Sequence, residues 1–247
     1  MAIQKICITC GPVSNVGKTT LTKHLKAYLK VNFKMSVTHF GLDSGVLPMD
    51  GEDLVKPPSL ESLDGAVRQI SLLDPNQGFI LDIGSSVFSE FDNVRISYGK
   101  SFFQEFDLFI VPMTPMVKPE GVRSAIEGLI EDGADPKKIV VVLNRVVIGK
   151  EDQAMAFARG AMGDLVEQGV RVSDEVISEM TFIGRIRGDG VVFSRLCDRE
   201  TVRKQMRAEI DAGNREEAVR YADILLDGAE ARMATGCFVR VFEPLFF

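Results

Sequence analysis

The ten residues from Gly11 to Thr20 read GPVSNVGKTT, and their types suit the holding of a phosphate chain. They follow a short β-prone run, IQKICITC, and lead into a helical pattern. That strand–loop–helix context is what a phosphate-binding loop requires. Successive backbone N–H groups around Gly17, from Ser14, Asn15 and Val16 through Thr20, would face one concavity and hold phosphate oxygens. The positive end of the helix starting there would add its field. A side chain at position 17 would block close backbone approach, hence glycine. Lys18 would reach the β- and γ-phosphates, and the Thr19 hydroxyl would ligate Mg²⁺. The glycine spacing is unusual: Pro12 stands five residues before Gly17, and the first glycine comes one position earlier, at Gly11.

Three further positions could serve the same site. Asp82 ends an apolar strand and precedes Ile83-Gly84-Ser85-Ser86. A carboxylate there can hold Mg²⁺ through water, and Gly84 can present its N–H to a γ-phosphate; a loop-capping Asp is the alternative. Asp43 ends the second strand beside Ser44-Gly45 and could orient an attacking water or approach the metal, or simply form a turn. Asn144, before Arg145, ends the fifth strand. Its amide offers both a donor and an acceptor, which suits an adenine edge; a turn-forming Asn is again the alternative.

Alternating strands and helices must position these groups. After the loop, the pattern predicts a helix over about 18–30, with Leu21, Leu25 and Leu29 on one face. Strands are predicted at 35–42, 78–83, 106–113 and 138–146, and a last one near 180–186. Helices are predicted near 60–72 and over about 119–132 and 151–168, and residues 198–234 read as mostly helical. Pro48, Pro57 and Pro58 mark the stretch between 43 and 75 as loop around its short helix. Apolar strands separated by helices imply a doubly wound, mostly parallel α/β sheet with right-handed crossovers. No linker or repeat divides the chain, so residues 1–247 read as one domain, with 198–247 a helical extension ending in an apolar tail.

Composition agrees with a globular protein: 247 residues, 45% hydrophobic, 26% charged, net charge −6. The negative balance argues against nucleic-acid binding by bulk charge. No apolar run is long enough to span a bilayer, and the N-terminus lacks signal-peptide sections. A cytoplasmic protein is expected, with Cys7, Cys10, Cys197 and Cys237 reduced.

SNVGKTT (14–20), LDIGSS (81–86), FDLFIVPMTP (106–115) and VVVLNRV (140–146) together resemble the ParA/MinD superfamily of deviant P-loop ATPases. Within it, the NVGKTT loop and DIG-type switch are similar to those of StbB-type plasmid stability proteins. The motifs cover residues 1–146. The resemblance implies ATP and Mg²⁺ binding, slow hydrolysis, an ATP-dependent face-to-face homodimer and a stimulating partner or adaptor protein. It assigns phosphate binding to Gly17, Lys18 and Thr20, metal to Thr19, a switch role to Asp82, water positioning to Asp43 and base recognition to Asn144. Plasmid maintenance or the positioning of a cargo is the implied task. One departure matters. Most relatives carry a signature lysine five residues before the loop lysine, where this chain has Val13. Losing a cation from the transition-state site weakens hydrolysis unless another residue replaces it. A nucleotide-binding scaffold that does not hydrolyse is therefore one alternative. Dethiobiotin synthetases, which share the loop spacing, suggest another: an ATP-dependent carboxylating or ligase enzyme.

Other features have plainer readings. Cys7 and Cys10 lie three apart on a strand and so point to opposite faces, as core thiols. His24 and His39 are read as structural. Arg199, Arg203 and Arg207 share one helical face that could meet DNA phosphates, or be merely solvated beside Glu200 and Glu209. Arg185, Arg187 and Arg195 add to this basic stretch, and the loop at 186–190 could flank a base. The tail CFVRVFEPLFF is expected to dock on protein, because Pro244 opposes a continuous membrane helix.

Overall fold

Parallel strands buried on both faces need near-continuous apolar sequence, and GFILDI, LFIVPM and IVVVL supply it. The computed structural model describes residues 3–9, 11, 13–42, 53–56, 59–98, 101–179 and 199–246. Within these, β1 (Lys5–Ile8), β2 (Ser36–Leu42), β3 (Asp53–Lys56), β4 (Gln77–Ile83), β5 (Leu108–Met113), β6 (Ile139–Leu143) and β7 (Arg171–Val172) form one sheet. Its order is β3-β2-β4-β1-β5-β6-β7, and every pairing is parallel. The helices are α1 (Lys18–Asn32), α2 (Leu60–Ser71), α3 (Phe88–Tyr98), α4 (Ser101–Gln104), α5 (Pro119–Glu131), α6 (Glu151–Ala161), α7 (Gly163–Glu167), α8 (Arg199–Asp211) and α9 (Arg215–Phe246).

The pleat divides the core into two. Cys7, Phe79, Leu81, Phe109, Val111, Val141 and Leu143 face a layer built from α2, α3, α4, α5 and α6. Ile6, Ile8, Ile80, Leu108, Ile110, Val140 and Val142 face α1 and the end of α9. The chain is thus a doubly wound parallel sheet with helices on both sides, as its pattern implies. β1 lies between β4 and β5, so the loop leaving β1 emerges at the centre of the sheet's carboxyl edge, where such folds bind ligands.

Several elements depart from expectation. The proline-rich stretch contains β3, a four-residue edge strand made by pairing with β2. Residues 88–98 and 101–104 form α3 and α4, whose phenylalanines build a ring cluster with Phe106 and Phe109 rather than a regular stripe. The helix expected over 151–168 breaks at Met162 into α6 and α7. The strand near 180–186, the loop at 186–190, Arg185, Arg187, Arg195, Cys10, Cys197 and Asp43 lie outside the described residues.

The apolar tail is the last part of α9, which continues through Pro244 to Phe246. A proline there removes only a bond of the final turns, where carbonyls are already short of partners. Phe238, Val241, Phe242 and Leu245 follow the i, i+3, i+4, i+7 rule and are buried against α1 and the sheet. Phe238 stacks on His24 with ring centroids 3.8 Å apart, and Tyr28 meets both Phe242 and Phe246. Burial, with the nearby Lys23 charge, lowers the His24 pKa to about 3, so the folded chain keeps this imidazole neutral.

Two outcomes follow from this packing. Phe242→Ala removes a fully buried ring and is expected to cost about 3–5 kcal/mol in urea unfolding. Leu226→Ala, 66% exposed on the same helix, should cost under about 0.5 kcal/mol; equal costs would mean the tail is undocked. For His24, the unfolded chain binds the proton that the folded chain refuses. Its contribution is therefore complete above about pH 6.5 and falls as pH drops toward the depressed value near 3. Between pH 7 and pH 5 this should remove about 2 kcal/mol, a loss absent from His24→Phe; identical pH profiles would place the acid sensitivity elsewhere.

Candidate functional site

β1 ends against Asp82 of β4, since Ile8 and Asp82 are register partners. Thr9 is buried, and its Oγ1 accepts the Gly11 N–H at 3.3 Å. The chain then turns through left-handed residues: Gly11 at φ +54°, Asn15 at +58° and Gly17 at +84°. Gly17 is the N-cap of α1, and no side chain caps the helix. A glycine at this place supplies no side chain to the first-turn N–H groups, which every helix leaves without intrahelical partners.

Val16 is the most telling residue of the loop. It is 0% exposed, yet among the described residues its N–H meets no protein acceptor, and the Gly17 N–H meets none either. Buried backbone donors are almost always satisfied. A buried N–H without a protein acceptor beside a helix start whose N-cap is glycine fits a bound anion. Lys18 is buried, and its Nζ donates to the Val13 carbonyl at 2.8 Å, within the loop itself. Thr19 and Thr20 are half-buried on the first turn of α1. The exposed Ser14 and Asn15 complete the rim.

Asp82 is buried beneath the loop. The Thr22 hydroxyl lies 3.1 Å from Asp82 Oδ2 and 3.1 Å from the Lys18 carbonyl, which ties the first turn of α1 to β4. Thr22 escaped sequence reasoning, although it stands one helical turn after Lys18. His39 Nε2 lies 3.8 Å from the same Asp82 oxygen. Burial and the Asp82 charge push the Cys7 thiol pKa well up, so Cys7 is an inert core thiol. The Gly84 N–H is not directed at the loop: it continues the β-ladder by donating to the Leu42 carbonyl at 2.8 Å.

Asn144 sits directly on the loop. Its Nδ2 donates to the Val16 carbonyl at 2.9 Å, and its Oδ1 accepts the Arg145 N–H at 2.9 Å. Arg145, also missed in the sequence, donates from Nη1 to the Asn15 carbonyl at 3.2 Å. Val13 rests on the head of α5: a Cβ on Gly121 would come within 2.9 Å of its Cγ2. Arg199, Arg203 and Arg207 are exposed on α8, which buries only Val202.

Lys18, Asp82 and Asn144 are thus brought to the loop and the start of α1 at the sheet's carboxyl edge, and Gly17 makes the convergence possible. A Cβ there would lie 2.2 Å from Asn144 Nδ2 and would sit on a left-handed backbone. Gly17→Ala is expected to cost about 1–3 kcal/mol in chemical unfolding. In an Asn144→Ala background the clash vanishes and about 1 kcal/mol of backbone strain should remain. Strict additivity of the two substitutions would mean that position 17 and Asn144 do not touch.

No family model matches the chain, and no curated protein matches its sequence. Solved structures do. The MinD cell division protein of Aquifex aeolicus superposes with a TM-score of 0.50 at 16% identity, covering 75% of this chain and 87% of that one. A candidate plasmid partition protein of Borrelia burgdorferi B31, bound to AMPPNP, gives 0.48 at 13% identity over 75% and 89%. A McdA variant of Cyanothece in complex with ATP gives 0.48 at 15% identity over 96% and 98%. At such identities the likeness speaks for the fold, and the first of these is the one that carries it. With its all-parallel sheet flanked by helices, the chain has the P-loop NTPase fold of the ParA/MinD type.

Proposed function

We propose that this chain is a ParA-like protein that binds and weakly hydrolyses Mg²⁺-ATP, acting as a nucleotide-dependent switch in plasmid stability, partition or cargo positioning. The observation that carries the reading is the buried N–H of Val16, without an acceptor among the described residues, beside Gly17, the glycine N-cap of α1. A phosphate oxygen satisfies such donors and draws on the helix dipole. Lys18, already at the loop, would exchange the Val13 carbonyl for the β- and γ-phosphates. Ser14, Asn15, Val16, Gly17 and Thr20 would line the phosphate chain. Thr19, with Asp82 through water, would hold Mg²⁺, whose bound charge neutralises the phosphate oxygens. Asp43 would orient the attacking water. Asn144 would meet the adenine edge with its second Nδ2 hydrogen.

Further parts of the reading are a homodimer in the ATP state, a partner or adaptor protein, a cytoplasmic setting, and DNA contact through Arg199, Arg203 and Arg207. Among the described residues, no helix is long and apolar enough to cross a membrane. One observation favours a second reading, a scaffold that binds nucleotide without turnover. Val13 packs its side chain on Gly121 where a cation would stand in most relatives.

Light scattering and phosphate release on the purified chain test these readings together. The expected result is a monomer that doubles in mass only with Mg²⁺ and a non-hydrolysable ATP analogue, slow phosphate release from ATP, and loss of both in Lys18→Ala. Binding with no release, even with partner present, selects the scaffold. Release that requires a small-molecule carboxylation substrate selects the dethiobiotin-type enzyme. Failure of the chain to bind nucleotide overturns all three.

A further inference from the structure

Arg145 has no part in the roles above, yet its contacts all lead to the loop or anchor it there. It sits at φ +58°, a left-handed conformation that is unfavourable for a non-glycine residue and persists where surrounding contacts over-determine it. Asn15, the residue it reaches, is also at +58°. The Arg145 Nη1 donates to the Asn15 carbonyl at 3.2 Å, and Nη2 donates to Glu179 Oε1 at 3.4 Å. Its own N–H fixes Asn144 Oδ1, which leaves Asn144 Nδ2 to hold the next carbonyl of the loop, that of Val16. Two consecutive residues at the end of β6 therefore clasp two consecutive carbonyls of the loop.

The consequence follows from peptide geometry. No described peptide bond is cis. In a trans unit the C=O of one residue and the N–H of the next point in opposite directions. Holding the Asn15 carbonyl toward Arg145 turns the Val16 N–H away from it. Holding the Val16 carbonyl toward Asn144 does the same for the Gly17 N–H. Among the described residues, neither of these two amides has a protein acceptor. Glu179 is itself fixed: its N–H donates to the Val146 carbonyl at 2.8 Å, and the Ile177 N–H donates to the Leu143 carbonyl at 2.8 Å. The anchor for the guanidinium is thus zipped onto β6 and the turn after it.

We propose that Arg145, latched by Glu179, is a positioning residue of the phosphate loop: by holding the Asn15 carbonyl it aims the Val16 N–H at a bound diphosphate or triphosphate chain, while Asn144 does the same for the Gly17 N–H. The proposal rests on the reading of this loop as a phosphate site. A plain surface ion pair would contribute little and would need neither a left-handed backbone nor a loop carbonyl.

Calorimetric titration of the full chain with Mg²⁺-ADP, and separately with Mg²⁺-pyrophosphate, provides the test. Arg145→Ala should weaken both ligands by about tenfold, the worth of one charge-assisted hydrogen bond, with the thermal midpoint little changed. Arg145→Lys, which keeps one charged donor, should recover part of the loss. Glu179→Gln, which loosens the latch but keeps Arg145, should fall between, and it serves should Arg145→Ala fail to fold. Wild-type affinities in Arg145→Ala overturn the positioning role alone. So does a loss for ADP that spares pyrophosphate, which would assign Arg145 to the base or ribose. A loss that Arg145→Lys shares in full, in step with a falling thermal midpoint, would reduce the contact to general stability and also overturn it. A wild-type chain that binds neither ligand removes the phosphate-site reading and this inference with it.

Discussion

A buried backbone amide that has no acceptor among the described residues, that of Val16, is the constraint around which the carboxyl edge of the sheet is built. Burial of an unsatisfied N–H is costly in any protein, and at Val16 the surroundings enforce it rather than relieve it. The loop leaves β1 at the centre of seven strands, so its start cannot shift without breaking ladders to both β4 and β5. Its end is the first turn of α1, and that turn is tied to β4 through Thr22 and Asp82. Its middle is held from the side by Asn144 and Arg145. A loop fastened at three places keeps its donors oriented before a ligand arrives, which lowers the ordering cost of binding.

α1 carries this orientation into the core. Leu21, Leu25 and Leu29 seat it on the sheet, and Tyr28 and His24 receive the end of α9. The last turns of the chain are therefore a cover over the helix whose first turn forms the site. A neutral, stacked His24 suits that cover, since a charged imidazole under Phe238 would have to leave it. Packing far from the loop thus determines how firmly the loop's helix is held.

The central sheet is legible in the sequence because FILDI, LFIVPM and IVVVL are apolar runs bounded by turns, rich in isoleucine and valine and too short for buried helices. β3 is not, because four residues among prolines become a strand only through the edge of β2. α3 is not, because Phe88, Phe91, Phe102 and Phe103 satisfy one another across two helices instead of marking one face. In the site, GKTT between a strand and a helix announces the loop. The contacts that shape it do not show locally: Asn144 reaches Val16 across 128 positions, Arg145 reaches Asn15 across 130, and Thr22 reaches Asp82 across 60. Gly84 illustrates the converse, a residue apt for phosphate by type whose N–H the sheet has already taken.

Asn144 links the phosphate loop to the end of β6. An amide side chain has two donor hydrogens and one acceptor oxygen. One hydrogen holds the Val16 carbonyl and the oxygen holds the Arg145 N–H. A base at this edge would be left the second hydrogen alone, and could gain the oxygen only by releasing Arg145. Release of Arg145 would loosen its hold on Asn15, and with it the aim of the Val16 N–H. Recognition of a base and cradling of its phosphates would then be coupled through one side chain, which only a glycine at position 17 allows to sit where it does.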